Sequence, residues 1–258
     1  MSLKCFAPTV PPHRIFFNTP FRTPNSELRI PNARNAINGR MMQMIPTETS
    51  FFRDADFFDA LKSSVFPELL KQGRIDRQLN IWSAACSSGQ EPYSLALVLQ
   101  AYFPLLATWE LEFIASDISL EMLTKAHRGF YSQAEVDRRL PPELLTRYFH
   151  QEGDGWQIDP SIRSMVQFRP INLLAPWPPL PPMDLVVMRN VLIYFDKLTR
   201  RQILTGVRQI LKPDGYLFLG STETTFGVDR AFESVKFDRA IGYRLRPETP
   251  QSAPNTPS

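Results

Sequence analysis

Glu91 and Asp117 are the two acids whose placement invites chemistry. Glu91 lies in IWSAACSSGQEPYSLAL, residues 81–97, where small residues follow a buried-strand pattern and Gln90, Glu91 and Pro92 open a helical one. A turn from strand to helix suits nucleotide-like cofactors, because the helix N-terminus presents unpaired N–H groups to an anion. Here the three-glycine dinucleotide fingerprint is missing and a carboxylate occupies the first turn, so a pyrophosphate would face a second anion. A ligand with an ammonium group and no phosphate would be attracted instead. Asp117 ends the next strand-like run, the place of an acid that takes ribose hydroxyls, although it comes later than the ~20 residues of the dinucleotide rule. Ribose plus an amine, without phosphate, describes S-adenosyl-L-methionine (SAM). Each acid alone also has a plainer reading: Glu91 as a partner of the helix macrodipole, worth ~0.3–1 kcal/mol, and Asp117 as a helix cap.

A second cluster is TETSFFRD, residues 47–54. Thr47, Thr49 and Ser50 are N-cap types, and Phe51 and Phe52 could staple such a helix to the core. Arg53 stands beside the aromatic pair. On a segment folded over a sheet edge, its guanidinium would clamp a carboxylate bidentately. The third cluster is RNVLIYF, residues 189–195. An apolar strand that ends in Arg189 and Asn190 and then reaches Tyr194 puts donors and an aromatic ring at the mouth of a site. Tyr194 could stack on a cofactor or hold a sulfonium by cation–π attraction. A core tyrosine with one satisfied hydroxyl is the more frequent role of such a residue.

Bringing these clusters together takes a particular set of elements. Phe57, Phe58, Leu61 and Val65 recur at helical spacing. Residues 79–84 read as a buried strand. The helix after them has Pro92 at a position suited to N1, with Leu95, Val98, Leu99 and Tyr102 along one face, and ends before Pro104. A second strand, 111–115, runs into Ser116 and Asp117 and is followed by a helix that Gly129 closes as a left-handed cap. A third buried strand covers 184–188. Thr199 and Gln202 match a capping box for a helix whose Ile203, Val207, Ile210 and Leu211 face inward. KPDG, 212–215, reads as a turn in which Gly215 takes positive φ, and YLFLG follows as another buried strand. Residues 240–246 form a last strand, paired with 235–237 as a hairpin. This alternation implies an α/β fold with a mostly parallel sheet covered on both faces. Ligands of such sheets lie beyond the carboxyl ends of the strands, near the switch point, which nominates 85–91, Asp117, Arg189, Asn190 and 220–223.

The interval 131–166 breaks the alternation. A short helical piece, 141–149, precedes HQEGDGWQID, whose Gly-Asp-Gly turn predicts a hairpin in a small antiparallel insert. Residues 1–45 are rich in Pro, Asn and Arg and read as an extended arm with a short helix near 32–42. The expected layout is an arm (1–45), a core (46–129 and 165–246), an inserted β-subdomain (130–164) and a disordered tail (247–258).

The chain has 258 residues, 43% of them hydrophobic, enough for one large domain with an insert. Its formal charge of +3 is scattered, and the pairs Arg138–Arg139 and Arg200–Arg201 read as solvated helix faces rather than a nucleic-acid stripe. Cys5 and Cys86 make no disulfide framework, which points to a reducing cytoplasm. No apolar run approaches the ~18 residues of a membrane span, and a signal-peptide pattern is lacking. His13, His127 and His150 fall in unrelated contexts, so no metal site is expected.

Taken in order, TETSFFRD, WSAACSSGQEPYSLAL, ASDIS, INLL, MRNVLIYFD and LKPDGYLFLGSTE resemble the CheR family over about residues 46–246. These are the chemotaxis methyltransferases that esterify glutamates of receptor cytoplasmic domains. The resemblance implies a Rossmann-like, SAM-dependent methyltransferase sheet with an inserted antiparallel β-subdomain, acting as a protein-glutamate O-methyltransferase. By that resemblance Thr47, Thr49 and Arg53 line the cofactor pocket, with Thr47 where asparagine is common. Glu91 falls near the methionine end of SAM, Asp117 at the ribose, and Asn172 with Leu173 near the adenine. Arg189, Asn190 and Tyr194 fall along cofactor and acceptor, and Arg53 and Tyr194 are the nominees for catalysis. The insert would touch receptors. QEGDGWQ is short beside the glycine-bearing loop with which some members grip a receptor-tail peptide, so no tethering peptide is expected. The family's N-terminal helical docking domain is reduced or missing before Thr47.

The reaction so implied moves the SAM methyl group to a glutamate side-chain oxygen, giving a γ-methyl ester and S-adenosyl-L-homocysteine (SAH). A glutamate with a pKa of about 4.3 is already an anion at neutral pH and needs no general base. Alignment in a water-poor pocket would supply up to ~7–11 kcal/mol. The expected partner is the cytoplasmic domain of methyl-accepting receptors, with no nucleic acid and no membrane insertion. Two other readings keep SAM: a methyltransferase with a different acceptor, and a non-catalytic SAM-binding scaffold or sensor.

Overall fold

A computed structural model describes residues 48–72 and 76–247. The expected arm with its helix near 32–42, Thr47, and the tail from residue 248 lie outside the described residues. Seven strands form one sheet in the order β6 (Gln167–Pro170), β2 (Glu110–Asp117), β1 (Gln78–Ala84), β7 (Met183–Met188), β8 (Leu211–Leu219), β10 (Ala240–Leu245) and β9 (Phe232–Phe237). The first five are mutually parallel, and β10 is antiparallel to β8 and β9. From β1 the chain steps outward to β2 and β6, then returns to lay β7 on the other side of β1. The β1–β7 boundary is therefore the switch point, where the loops at the carboxyl ends diverge and leave a crevice.

Side-chain alternation divides the core into two layers. In β1, Leu79 and Ile81 join Phe57, Leu95, Phe113, Val187 and Phe218, whereas Trp82 and Ala84 join Ile114, Val186, Met188, Leu204 and Leu217. Both faces of the central strands are covered, which is why each reads as a continuous apolar run.

On the first face lie α1 (Ala55–Ala60), a π-type turn (Leu61–Val65) and α2 (Phe66–Gln72). The wide turn sits just before Pro67, which has no N–H for the carbonyl of Ser63 and crowds it. Next comes α3 (Gln90–Tyr102), which departs from the expected one-faced pattern. It starts two residues early, with Gly89 as N-cap and Pro92 in the third helical position, and every residue from Pro92 to Leu99 is buried. Tyr102 is instead 51% exposed. The cause is that α3 is covered by the sheet on one side and by α4 (Leu120–Arg128) and the insert on the other, where Tyr93 donates to Ala126 O of α4 at 2.8 Å and its ring meets Tyr131 of the insert edge-on.

After α4 (Leu120–Arg128) Gly129 turns left-handed at φ 66, as expected of a cap. Then come β3 (Phe130–Ser132), α5 (Gln133–Asp137), α6 (Pro142–Tyr148), β4 (Phe149–Glu152), β5 (Gly155–Ile158) and α7 (Pro160–Arg163). The three strands make a separate antiparallel sheet in the order β3-β5-β4, with Gly153 at φ 59 in the β4–β5 turn. The crossing from β6 to β7 carries no helix. Residues 171–182 run across the second face, pinned by Trp177, whose ring meets Trp82 edge-on at 4.8 Å and leaves no room for a Cβ on Gly206.

Two further local expectations fail. Helix α8 (Lys197–Ile210) is capped by Asp196, whose carboxylate accepts from Thr199 N at 2.8 Å. Thr199 and Gln202 therefore lie inside the helix, and Leu211 already belongs to β8. KPDG is a bulge within β8 rather than a turn before it, because Leu211 pairs with Met183 and Tyr216 with Leu185. Gly215 has no positive φ; a Cβ there would stand 2.9 Å from Met183 O, so close approach explains the glycine. Hairpin β9–β10 forms as expected, six residues on each strand. Among the described residues no helix is long and apolar enough to cross a membrane.

Candidate active site

The β1–α3 loop is held in an unusual path. Ala85, Ser87 and Gly89 all take positive φ, at 55, 49 and 91. Cys86 N donates to Ser116 O at 2.9 Å, laying the loop across the end of β2. Asp117 completes the brace: Oδ2 accepts from Ser87 N at 2.8 Å and Oδ1 from Ser119 N at 2.9 Å. Each carboxylate oxygen still has a lone pair, the acceptor set that a vicinal diol needs. Behind the loop, buried Tyr131 of β3 donates to Ser88 O at 2.8 Å, and Ser88 Oγ donates to Gln90 Oε1 at 2.8 Å. Asn172 and Leu173 stand just past β6, whose Pro170 pairs with Asp117. Asn172 Oδ1 accepts from Leu174 N at 2.9 Å and the residue is exposed, whereas Leu173 is buried.

Glu91 is not a free acid serving the helix terminus. Its Oε1 accepts from Ser83 Oγ at 3.0 Å and its Oε2 from Arg189 Nη1 at 3.0 Å. Burial pushes its carboxyl above the usual carboxylate range, while Arg189 and Ser83 pull it back. The Arg189 side chain, 2% exposed, lies over the Phe57 ring at 4.4 Å, donates through Nη1 to Arg53 O at 3.3 Å and pairs through Nη2 with Asp54. One buried cation thus bridges the end of β7, the first turn of α3 and the segment that leads into α1. Cys86, next to this cluster, has its thiol pushed well up by burial and by the charges of Asp117 and Glu91, so it stays protonated.

TETSFFRD does not cap a helix as expected; α1 starts after it, at Ala55, with Asp54 left-handed at φ 63. The aromatic pair anchors the segment instead. Phe51 meets Tyr131 edge-on at 4.9 Å and Phe149 at 5.7 Å, while Phe52 leans on Phe58 and donates its N–H to Ser94 Oγ at 3.0 Å. Arg53 is half-buried, with Nη1 donating to Glu48 O at 3.0 Å, and Thr49 is half-buried beside it. Beyond β7, Asn190 is left-handed at φ 60, and a 3-10 turn (Leu192–Tyr194) follows that leaves Tyr194 half-buried. Of the seven non-glycine residues with positive φ among those described, five belong to these three segments: Phe52, Asp54, Ala85, Ser87 and Asn190. Such strain persists where surrounding contacts over-determine it, and it gathers at functional sites.

The structure thus gathers Thr49, Arg53, Glu91, Asp117, Asn172, Leu173, Arg189, Asn190 and Tyr194 along the carboxyl ends of β6, β2, β1 and β7. Sequence reasoning passed over Asp54 and Ser83, and it nominated Glu223 only by its place after a strand, without a role. Asp54 closes the quoted TETSFFRD and Glu223 the quoted GSTE, but their partners lie 135 and 33 residues away. The donor set fits SAM. Arg53 and Arg189 with Glu91 and Asp54 complement an amino-acid zwitterion, Asp117 suits a ribose, and a phosphate would meet three carboxylates.

A Rossmann-like sheet with that set at its switch point is a SAM-dependent methyltransferase. The chain belongs to the CheR family, since the family model described as CheR methyltransferase, SAM binding domain, matches residues 47–241. Chemotaxis protein methyltransferase 1 of Pseudomonas aeruginosa is 42% identical over 224 residues, 84% of this chain and 81% of that protein. Chemotaxis protein methyltransferase Cher2 of Pseudomonas putida is 40% identical over 207 residues, 79% of this chain and 75% of that one. Chemotaxis protein methyltransferase 2 of Vibrio cholerae is 37% identical over 199 residues, 76% and 68% respectively.

Proposed function

We propose that this methyltransferase converts glutamate side chains on the cytoplasmic domains of chemotaxis receptors to γ-methyl esters, and does so in the cytoplasm. Its relatives carry chemotaxis in their names. The observation that carries the reading is the buried Arg189 bound to Glu91 and Asp54 next to the Asp117-braced loop. When bound, SAM supplies the activated methyl group on its sulfonium.

In this reading Asp117 takes the ribose hydroxyls, Asn172 and Leu173 border the adenine, and Glu91 with Arg189 faces the methionine end. Thr49 and Asn190 complete the wall, and by the family resemblance Thr47 belongs to the same cofactor set. The acceptor carboxylate is an anion at neutral pH, so nothing has to remove a proton from it. Neither described histidine, His127 of α4 or His150 of β4, belongs to the cluster. The work left to the chain is alignment and exclusion of water. Arg53 orients the acceptor carboxylate through its guanidinium, and Tyr194 positions the methyl group between the two reactants. The inserted sheet is the surface offered to the receptor.

Incubation with methyl-labelled SAM and a receptor cytoplasmic fragment tests this. Label should enter the fragment, be released by mild alkali, and vanish when the acceptor glutamates are alanine. Label that survives alkali would exclude a carboxyl ester, and turnover on small acids alone would move the acceptor to another class.

A further inference from the structure

Glu223 follows β8 in STE and is only 8% exposed, yet its carboxylate meets main chain rather than a cation. Oε2 accepts from Asn190 N at 2.7 Å and from Gly220 N at 2.6 Å, and Oε1 accepts from Ile193 N at 3.1 Å. Two of those donors belong to the segment beyond β7 and one to the end of β8. A single side chain therefore bolts the Arg189–Tyr194 segment to its neighbouring strand. Its own turn is held from both ends: Glu223 N donates to Gly220 O at 2.9 Å, and Tyr243 OH approaches Glu223 O at 3.5 Å. Gly220 makes this geometry possible, because a Cβ there would stand 2.7 Å from Glu223 Oε2 and 2.9 Å from Asn190 N. Glu223 and Arg189 also share the wall of a cavity of about 220 Å3 floored by Phe57 and Phe218.

We propose that Glu223 is a positioning residue for methyl transfer, holding Asn190 left-handed and so fixing where Arg189 and Tyr194 meet cofactor and acceptor. The inference rests on the functional reading above and adds a residue that touches neither reactant. The physical reason is geometric. Asn190 departs from the backbone region that L-residues prefer, and the 3-10 turn after it spans only three residues, so the segment has little hydrogen bonding of its own. A carboxylate has two acceptor oxygens and here uses both, whereas an amide has only one. In Glu223→Gln one oxygen becomes an NH2 donor facing an N–H: in one amide orientation the Ile193 anchor is lost, and in the other those to Asn190 and Gly220.

The test uses the full chain and its Glu223→Gln and Glu223→Asp variants, with amide hydrogen exchange, SAH titration and steady-state methylation of a receptor fragment. In the Gln variant, exchange at Ile193 or at Asn190, whichever faces the new NH2 group, should quicken by ~10-fold or more while the strands keep their protection. The value of kcat should fall at least ~10-fold, with SAH affinity held within about threefold, because the Asp117 brace is untouched. Should the Gln variant fail to fold, the Asp variant, which keeps the charge on a shorter arm, carries the same readouts. Unchanged exchange overturns the proposal, and so does quickened exchange with kcat intact. A parallel decline of kcat, SAH affinity and melting temperature would assign Glu223 a general structural role and overturn it too. Wild-type chain that binds SAH but never methylates the fragment would defeat the functional reading instead; exchange alone then decides whether Glu223 holds the segment.

Discussion

Arg189 and Glu91 form a buried ion pair, Nη1 to Oε2 at 3.0 Å, that joins the end of β7 to the first turn of α3 across the switch point. Asp54 completes a triad on the same guanidinium. Removing one member of such a set costs far more than the set contributes, because the group left behind is desolvated and unpaired. Arg189→Ala should therefore destabilise the fold by about 3–5 kcal/mol. Arg189→Lys should recover part of this but not all, since an ammonium cannot match the planar fork that reaches Glu91, Asp54 and Arg53 O. Urea unfolding of the three proteins checks both statements.

The pH dependence of Glu91 has a definite sign. Burial raises its folded-state pKa above the ordinary value of 4.5. A carboxyl of raised pKa favours the folded state while protonated. That contribution is whole below 4.5 and is lost as pH rises through the raised folded value. Glu91→Gln abolishes it. Measured by urea unfolding from about pH 4 to about pH 8, the variant should gain stability relative to wild type as pH rises, whatever its constant offset from losing the Arg189 contact. A relative loss with rising pH would mean that ionised Glu91 is the favoured folded form.

In the proposed reading Asp117 has two jobs, bracing the loop and taking the ribose, and variants can separate them. Its oxygens hold Ser87 N and Ser119 N, and each keeps a lone pair for a further donor. Asp117→Ala should weaken SAH binding ~100-fold, or about 2.7 kcal/mol. It should also cost ~1–3 kcal/mol of stability, because two N–H groups lose their acceptor. Asp117→Asn keeps one acceptor oxygen and should fall between wild type and Ala in both. Calorimetric titration and thermal melts give the two numbers independently.

Much of this was legible because the signals are local. The buried-strand run of Leu79–Ala84, the left-handed Gly129 and the acid in place of a phosphate turn are all written in short windows of sequence. The site's carboxyl-edge location follows from strand order alone. What stayed hidden depends on distance or on competition. Asp54 looks like an ordinary loop acid until folding brings Arg189 to it from 135 residues away, and Glu223, nominated by its place after a strand, shows its role only when Asn190 reaches it from 33 residues away. KPDG has turn propensity, but β7 pairs with residues on both sides of it and absorbs it as a bulge. Thr199 is a good cap, yet Asp196 three residues earlier is as good and wins. The all-round burial of α3 could not be read from its own pattern, since the second cover is α4 with the insert.

That cover has a consequence for the cofactor loop. Tyr131 lies in the first strand of the small sheet, and its hydroxyl donates to Ser88 O within the β1–α3 loop at 2.8 Å. Tyr131→Phe keeps the ring against Phe51 and removes only this contact. It should cost about 1 kcal/mol of stability and weaken SAH binding a few-fold, while kcat at saturating SAM changes little. Comparing kcat with the KM for SAM checks the split; a fall in kcat alone would place Tyr131 on the acceptor side.

The absence of any need for a general base can be read in the pH–rate profile. An acceptor glutamate with pKa about 4.3 is ionised above roughly pH 6, so kcat/KM should plateau from there to about pH 8 and fall tenfold per unit well below the acceptor pKa. Tyr194→Phe isolates the other half of the argument. If Tyr194 works by holding the methyl group with its ring, the variant keeps most of kcat; if the hydroxyl orients the acceptor, kcat falls ~10-fold or more at unchanged SAH affinity. In both cases the plateau should stay where it was, because the hydroxyl moves no proton in the reaction. A variant profile whose rate recovers with rising pH would show that a base is needed after all, and Tyr194 would then be tied to it.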